Sequence, residues 1–494
     1  MGMSFDHQPP TRCPSCRDLE ERVREAEERV REAEKRAEKA ESQVREREKR
    51  IDALEAEVAR LKKDSSTSSK PPSSDIVKKK RKAKKGKRGK RKRGAQPGHP
   101  RHERKPFALS EIDTIHNLYW ESCPCCGGEL EIREGHDRIF QQVELIENPV
   151  EIHEYRSAAC WCSQCQKTHH RPIPEDIRKA GLTGPRLTAL VAYMKVACHC
   201  SFSTIRKYLR DVVGVRVSRG HLRNLCAKVS ESLRGGYDEL LEMLRNETVL
   251  NVDETGHKDD GKRFWTWCFR ASLFTVYRIS PSRGTEVLLD VLGEEFAGLL
   301  GCDYYSAYRK YMRLDENVLV QFCLAHLIRD VKFLAEHPDP RNRAYGQQLV
   351  DMFRKLFGII HRREQYKTDE SFRRALEDVE ARVLWYATID PPETREAANM
   401  AKRLNTHGTA YFRFITDPDI EPTNNLAEQA IRFVAIHRRM TQGTRGEWGR
   451  EWCERMWTVI TTCSQQSRSV FEFICESVTA FFAGKPGPSL APDT

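Results

Sequence analysis

The sequence predicts a multidomain chain with an N-terminal coiled coil, a small cysteine-bearing β unit, a helical segment and a mixed α/β core. Three observations carry that reading. Apolar residues recur in alternating steps of four and three between Leu19 and Leu61, four cysteines fall into two C-x-x-C steps, and the apolar period changes near residue 247. The 494 residues are enough for about three domains of ordinary size. Charged residues make up 32%, and no apolar run approaches the ~18 residues a membrane span requires, so a transmembrane helix is excluded. The first twenty residues lack a basic start followed by an apolar core, which predicts no secretory signal and a cytoplasmic, reducing location. Seventeen cysteines then need another role than disulfides.

Leu19, Val23, Ala26, Val30, Ala33, Ala37, Ala40, Val44, Arg47, Ile51, Leu54, Val58 and Leu61 form a seam flanked throughout by Glu, Arg and Lys. An unbroken 4-3 repeat predicts a coiled coil over 17–63 and self-association, at least as a dimer, whereas a lone charged helix has no need of one. The Ser/Pro stretch from Asp64 to Asp75 cannot bury a face and reads as a linker. Between Lys78 and Arg93, thirteen of sixteen residues are Lys or Arg; removing them takes the net charge of +12 to 12 − 13 = −1. The positive charge is one self-repelling arm, expected to be disordered with its linker over 64–106. Lys78, Lys79, Lys80, Arg81, Arg88, Arg91 and Arg93 are candidate DNA-phosphate contacts, since each cation set against a phosphate releases counterions. A solvated tail or an address signal is the plainer alternative.

Over 107–178, Cys123 and Cys126 pair in spacing with Cys162 and Cys165, and alternating segments at 142–146 and 150–155 lie between them. Two such steps on β turns can set four thiolates around Zn²⁺. Cys125 and Cys160 are either ligands or free thiols, and Cys13 and Cys16 have no partner pair nearby unless two chains meet there. Residues 179–246 read as helical, with a helix-turn-helix-like rhythm in which Gly214 makes the turn and Ser218 caps the second helix. Arg219 and Arg223 on that helix could enter a major groove, although ordinary helix packing is equally common.

From 247 to 340 the pattern gives strands at 248–253, 264–270 and 273–279, a helix at 284–292, strands at 298–303 and 318–322, and a helix from Leu324. Three antiparallel strands followed by strands alternating with helices describe a ribonuclease H-like sheet. Asp253 and Asp303 fall at or just past the ends of apolar strands, where open α/β sheets place their sites. Glu428 lies in a helical stretch that could lean over the sheet edge. Three converging carboxylates suit a pair of Mg²⁺ (or Mn²⁺) ions about 3.5–4 Å apart, because hard cations choose oxygen ligands. Singly, each aspartate could cap a turn, and Glu428 with Arg432 is a routine i,i+4 pair. Arg432, Arg438 and Arg439 follow closely and could hold a DNA backbone; a solvated charged face is the alternative.

Six segments in order carry a resemblance: Asp64 to Asp75, Gln96-Pro-Gly-His99, Cys123 to Gly128, Val252-Asp-Glu-Thr255, Cys323 to Arg329 and Asn424 to Arg432. Together they resemble transposases of the insertion sequence 66 family. The resemblance implies a DDE-type DNA transposase with a leucine zipper, a zinc-finger segment and a ribonuclease H-like core. It implies a helical insertion over 341–420, a second part of the core over 421–482, and catalytic roles for Asp253, Asp303 and Glu428. Mg²⁺ and Zn²⁺ as cofactors, DNA ends and target as partners, accessory proteins and a nucleoid location are implied as well. His326 is expected either to sit beside the site or to pack in the core, with packing the preferred reading, and residues 483–494 to form a disordered tail. Tyr304-Tyr305 follows the second aspartate where the family more often has glycine. The rival readings are a non-catalytic zinc- and zipper-containing DNA-binding regulator and a structure-specific nuclease.

Overall fold

The computed structural model describes residues 14–61, 106–118, 120–129, 139–146, 149–417 and 419–492. In chain order, α1 (Pro14–Leu61), β1 (Ala159–Cys162), β2 (Lys167–His170), α2 (Glu175–Ala180), α3 (Pro185–Val196), α4 (Phe202–Asp211), α5 (Arg219–Ser232) and α6 (Arg234–Met243) precede the main sheet. The 48-residue α1 covers the 4-3 repeat, and its seam side chains stand in solvent, from 43% exposed at Val58 to 71% at Leu61.

The chain divides into two compact units, Lys79–Ile173 with Phe202–His221, and Met1–Lys78 with Pro174–Ser201 and Leu222–Thr494. In the first unit β1 and β2 pair antiparallel, with Cys162 opposite Lys167 and Gln166 taking a left-handed φ of 52° in the turn. The alternating segments at 142–146 and 150–155 form no strand among the described residues. Alternation makes a strand only where a second edge and a covering layer exist, and Val143, Ile146 and Ile152 remain exposed. The glycine turn and the cap are both present. Gly214 sits at φ 79°, Val215 N–H donates to the Leu209 carbonyl, and His221 N–H donates to Ser218 Oγ over 3.0 Å.

The larger unit is built on β3 (Val249–Asp259), β4 (Lys262–Arg270), β5 (Thr275–Ser280), β6 (Leu299–Cys302) and β7 (Leu319–Phe322), in the order β5-β4-β3-β6-β7. β3 runs antiparallel to β4 and β4 to β5, while β6 and β7 lie parallel to β3. The parallel strands are short and buried on both faces, which is why Leu299-Leu-Gly-Cys302 shows no alternation. α7 (Thr285–Leu292) and α8 (Ser306–Tyr311) make the crossovers, and α9 (Leu324–Ala335) follows β7. Three long helices, α10 (Pro340–Ile360), α11 (Asp369–Thr388) and α12 (Arg395–Phe412), are then inserted before α13 (Asn425–Thr441), α14 (Gly446–Gln465) and α15 (Val470–Phe482).

One expectation changes. β3 continues six residues past Asp253 and closes on β4 through Asp260-Gly261, both at positive φ, so Asp253 sits inside a strand rather than at its end. Asp-Gly between apolar alternations is the strongest short hairpin signal, and it sets this longer ladder. Residues 483–492 also differ from the disordered tail expected of them. Leu490 is fully buried against Gly236, and its N–H donates to Glu239 Oε2.

Strand β5 would leave an open edge, and α14 closes it with side chains. The N–H groups of Thr275, Tyr277 and Ile279, all on the outer side of β5, donate to Thr462 Oγ1, Thr458 Oγ1 and Glu454 Oε1 at 3.1, 3.1 and 2.6 Å. The spacing 454, 458, 462 puts the three acceptors on one helix face. Thr458→Val keeps the shape and removes one acceptor, leaving a buried N–H unpaired. We expect a loss of about 1–3 kcal/mol in urea denaturation, with the far-ultraviolet circular dichroism spectrum unchanged.

Candidate active site

β3 and β6 run parallel with Val249 opposite Leu299 and Asn251 opposite Gly301. Continuing that register sets Asp253 level with Asp303, which lies just past the end of β6. Each aspartate is oriented by backbone: Glu254 N–H donates to Asp253 Oδ1 at 3.0 Å, and Tyr305 N–H to Asp303 Oδ1 at 2.8 Å. The start of α13 is tied to the same place. Asn424 Nδ2 donates to the Val252 carbonyl at 2.8 Å, Asn424 N–H to Cys323 Sγ at 3.2 Å, and Leu324 N–H to the Pro422 carbonyl. Glu428 follows one turn later. The structure thus gathers Asp253, Asp303 and Glu428 at one end of the parallel strands.

The crowding is visible in the acid strengths. Burial first, then the charges of Glu254, Asp303 and Glu428, hold the Asp253 carboxyl well above the usual carboxylate range. Asp303 is pushed up to about 7 by burial and by Glu254; the Tyr305 N–H and the cations Arg283 and Arg403 pull the other way. Asp253 therefore feels both of the others.

Glu254 is a fourth carboxylate that sequence reasoning did not assign. It is buried, and Arg283 meets it with Nε at 2.7 Å and Nη2 at 2.6 Å while the Tyr308 hydroxyl donates to its other oxygen. Arg283 in turn lies over the rings of Tyr305 at 3.8 Å and Trp265 at 4.6 Å. Two adjacent acids at the end of an apolar run were the available signal. Alternation sets Glu254 on the buried face of β3 and Asp253 on the half-buried one, and a buried charge needs a partner.

His326, on α9, is buried as expected, yet it is also part of the site. Its Nδ1 lies 3.8 Å from Glu428 Oε1, and Arg329 Nη2 lies 4.0 Å from Oε2. Burial, with Arg329 and Arg403 nearby, lowers the imidazole to about 4, so it is neutral at pH 7 and the approach is no ion pair. Neither Glu428 Oε1 nor His326 Nδ1 has a hydrogen-bond partner, and both are buried. Among the described residues, the group of metal-competent side chains whose donor atoms all lie within 4.8 Å is Cys323, His326 and Glu428. The three predicted carboxylates do not form so tight a group. A pair of ions about 3.5–4 Å apart does not require it, because the outer carboxylates then bind different ions.

The other candidates are dispersed. Lys78, Lys79, Lys80, Arg81, Arg88, Arg91, Arg93 and Cys13 lie outside the described residues, as does the Cys16 side chain. Arg438 Nη1 donates to Thr255 Oγ1 at 3.1 Å, next to the aspartates on β3, whereas Arg432 and Arg439 are exposed on α13. Arg219 is exposed at the start of α5, and Arg223 stacks on Trp448 at 4.7 Å. Cys123 heads a tight turn closed by Cys123 N–H to the Gly128 carbonyl and Gly127 N–H to the Cys123 carbonyl. The backbone N–H groups of Cys125 and Cys126 lower the Cys123 thiol, and those of Cys165 and Gln164 lower Cys162. Cys165 Sγ stands 3.2 Å from His169 Nε2, and Cys125 and Cys160 are exposed.

Comparison with known proteins adds a direct finding. The family model described as "Transposase IS66 family" matches residues 180–451, more than half of the chain, and a "Family of unknown function (DUF6444)" matches residues 12–105. Three uncharacterized proteins of Sinorhizobium fredii are similar. Protein y4qI is 25% identical over 346 residues, which is 64% of this chain and 63% of its own length. Proteins y4hP and y4jD are 22% and 24% identical over 69% and 68% of this chain, and 67% and 69% of their own lengths are covered.

The raised Asp303 carboxyl makes stability depend on pH with a definite sign. An unfolded aspartate ionises near ~4, whereas the folded Asp303 holds its proton until about 7, so in that window the folded state binds more protons and stability falls as pH rises. In chelator-treated protein, Asp303→Asn is expected to be more stable than wild type by about 1–3 kcal/mol at pH 8, with the difference closing near pH 4. Urea titrations at the two pH values measure it.

Proposed function

The chain belongs to the IS66 transposase family, and from that premise we propose that it is a DDE-type DNA transposase with a ribonuclease H-like catalytic core. A transposase role, DNA processing and DNA as a partner come with the family. The observation that carries the finer reading is the meeting of Asp253, Asp303 and Glu428 at the end of β6, with Asp253 level with Asp303. The sheet order, with one antiparallel hairpin arm and three parallel strands, supports the core assignment.

The donor set suits hard divalent cations. All three side chains offer oxygen, two of the carboxyls are raised by burial first and then by neighbouring carboxylates, a cost that a cation would relieve, and Glu428 keeps a buried oxygen unpaired. Mg²⁺ or Mn²⁺ held by Asp253, Asp303 and Glu428 would supply the positive charge that attacking and departing oxygens need. The chain itself supplies orientation. The N–H groups of Glu254 and Tyr305 fix the aspartates, Asn424 ties α13 to β3, and His326 with Arg329 flanks Glu428. Arg283 neutralises Glu254, so the fourth acid does not add its full charge to the site. In the proposed reaction, water attacks a phosphodiester at an element end, a new P–O bond forms and the bond to the 3′ oxygen breaks. The freed 3′-hydroxyl then attacks target DNA by the same in-line exchange. No covalent intermediate with the protein is needed.

Two companion proposals follow the chain outward. α1 is proposed to pair with a second copy along its seam, and Cys123, Cys126, Cys162 and Cys165 are proposed to bind one Zn²⁺. The lowered thiols of Cys123 and Cys162 support the second, since the thiolate is the ligand form. Metal analysis of purified protein should find about one Zn²⁺ per chain, and replacing Cys162 by Ser should remove it; a folded, zinc-free wild type would refute the assignment.

For the reaction, labelled candidate element ends and Mg²⁺ provide the assay. Wild type should yield 3′-end cleavage and joined products, and Asp253→Ala should lose at least about a thousandfold in rate. Equal rates for the two proteins would refute the triad. Cleavage without joining would point to a nuclease, and chelator-insensitive DNA binding with no cleavage at any divalent concentration would point to a regulator.

A further inference from the structure

A second feature opens beside the aspartates and takes part in none of the chemistry above. A cleft of about 1010 Å³ lies between α8 and α9 of the core and α12 of the insertion, with Arg60 at the end of α1 on its border. Arg309, Arg313, Arg395, Lys402 and Arg403 line it, against the carboxylates Asp330 and Glu396. Asp330 is already engaged, since its Oδ2 accepts from Arg403 Nη1 at 2.8 Å. The excess is therefore positive, and it registers on His407 in the same cleft, whose imidazole is held below its usual range by burial and by Arg309, Arg313 and Arg403.

Two of these cations are held in place by a ring. Tyr304, the residue after Asp303, has the Arg403 guanidinium over its ring at 3.9 Å and that of Arg309 at 4.5 Å. Stacking uses the flat face of a guanidinium and leaves its N–H edge to bind something else. Two of those edge groups, Arg403 Nη2 and Arg309 Nε, are buried and have no hydrogen-bond partner. Arg403, with 11% of its side chain exposed, and Tyr304, the residue after Asp303, both line the cleft, so it begins beside Asp303. A cluster of fixed guanidiniums with spare donors, walled by low-dielectric protein, is the chemistry that recognises phosphodiester oxygens. The volume matches the upper end of the ~300–1,000 Å³ that enclose single small ligands, which is room for a short run of nucleotides.

We propose that this cleft, built jointly by the core and by α12 of the insertion, binds backbone phosphates of a DNA strand leading to Asp303. Tyr304 serves as the platform that sets Arg309 and Arg403. This rests on the reading of the chain as a DNA transposase, and it gives the insertion a task of its own: α12 supplies half of the wall that holds the strand.

The test uses the full-length chain, a fluorescein-labelled 30-base-pair duplex carrying a candidate element end, and anisotropy titrations between 50 and 300 mM NaCl in EDTA. Arg313 and Lys402 are exposed, so Arg313→Ala/Lys402→Ala removes two cations without touching the packed core. Each lost phosphate contact should lower the slope of log K against log salt by about 0.9, so the double variant should be flatter by about 1.8. Glu396→Lys adds a cation to the same wall and should steepen the slope, which keeps the test decisive if the first variant proves unstable. Slopes identical to wild type in both variants would overturn the proposal. Because binding is read without divalent ions, failure of wild type to cleave in Mg²⁺ bears on the transposase reading alone.

Discussion

The constraint on which the larger unit depends is the burial of like charges at one end of its sheet. Asp253, Glu254, Asp303 and Glu428 come from β3, the end of β6 and α13, and all four act on Asp253 or are Asp253 itself. Such a cluster is expensive unless something offsets it. The offsets are unequal. Glu254 receives a full ion pair from Arg283 and a phenol from Tyr308. Asp253 and Asp303 receive one backbone N–H each and remain protonated further up the pH scale than ordinary aspartates. That asymmetry separates a structural acid from two acids held in readiness, and it follows from strand alternation: Glu254 faces the side where arginine and tyrosine can reach it.

The surrounding elements make sense as supports for that cluster. α13 must approach β3 closely enough for Asn424 to hold the Val252 carbonyl, and the loop before it is fixed by Leu324 N–H on the Pro422 carbonyl. α14 follows α13 and seals the far edge of the sheet with Glu454, Thr458 and Thr462. Closing β5 in this way prevents the sheet from adding strands there. The sheet order then leaves β6 and β7 on the other side of β3, where the helices α9 to α12 gather and where the cationic cleft forms.

Much of this was legible in the residues. Each core strand except the far end of β3 was expected within a few positions of where it stands, because apolar alternation and buried runs report strand burial directly. The aspartate pair was legible because two acids ended apolar runs. Asp253 was misplaced along its strand because the apolar run stops at 253 while backbone pairing continues to the Asp260-Gly261 turn; hydrophobicity ends where burial changes, hydrogen bonding where the turn lies. The segments at 142–146 and 150–155 show the converse, alternation with no edge to pair against. Glu254 was missed as a site member, and His326 was left between the site and the core, for a further reason. Their roles are defined by Arg283, Tyr308 and Glu428, which are 29, 54 and 102 positions away, and a local pattern carries no information about such partners.

Tyr304-Tyr305 illustrates how a departure from a family pattern can acquire a physical reading. With glycine after the second aspartate, the chain would have no side chain there to stack against. Here each ring holds guanidinium: Tyr304 under Arg403 and Arg309, Tyr305 under Arg283. Arg283 and Arg403 are also the two cations that act on Asp303. The adjacent tyrosine rings therefore influence the second aspartate by fixing the positions of the charges that oppose its protonation, in addition to the Tyr305 N–H that donates to its carboxylate. Glu254 and Asp330 hold the same two guanidiniums from their edges, so each ring adds a second constraint on where the charge sits. The acid strength of Asp303 is in this sense set from both sides of the strand end, by the core through Arg283 and by the insertion through Arg403, which couples the inserted helices to the carboxylates electrostatically.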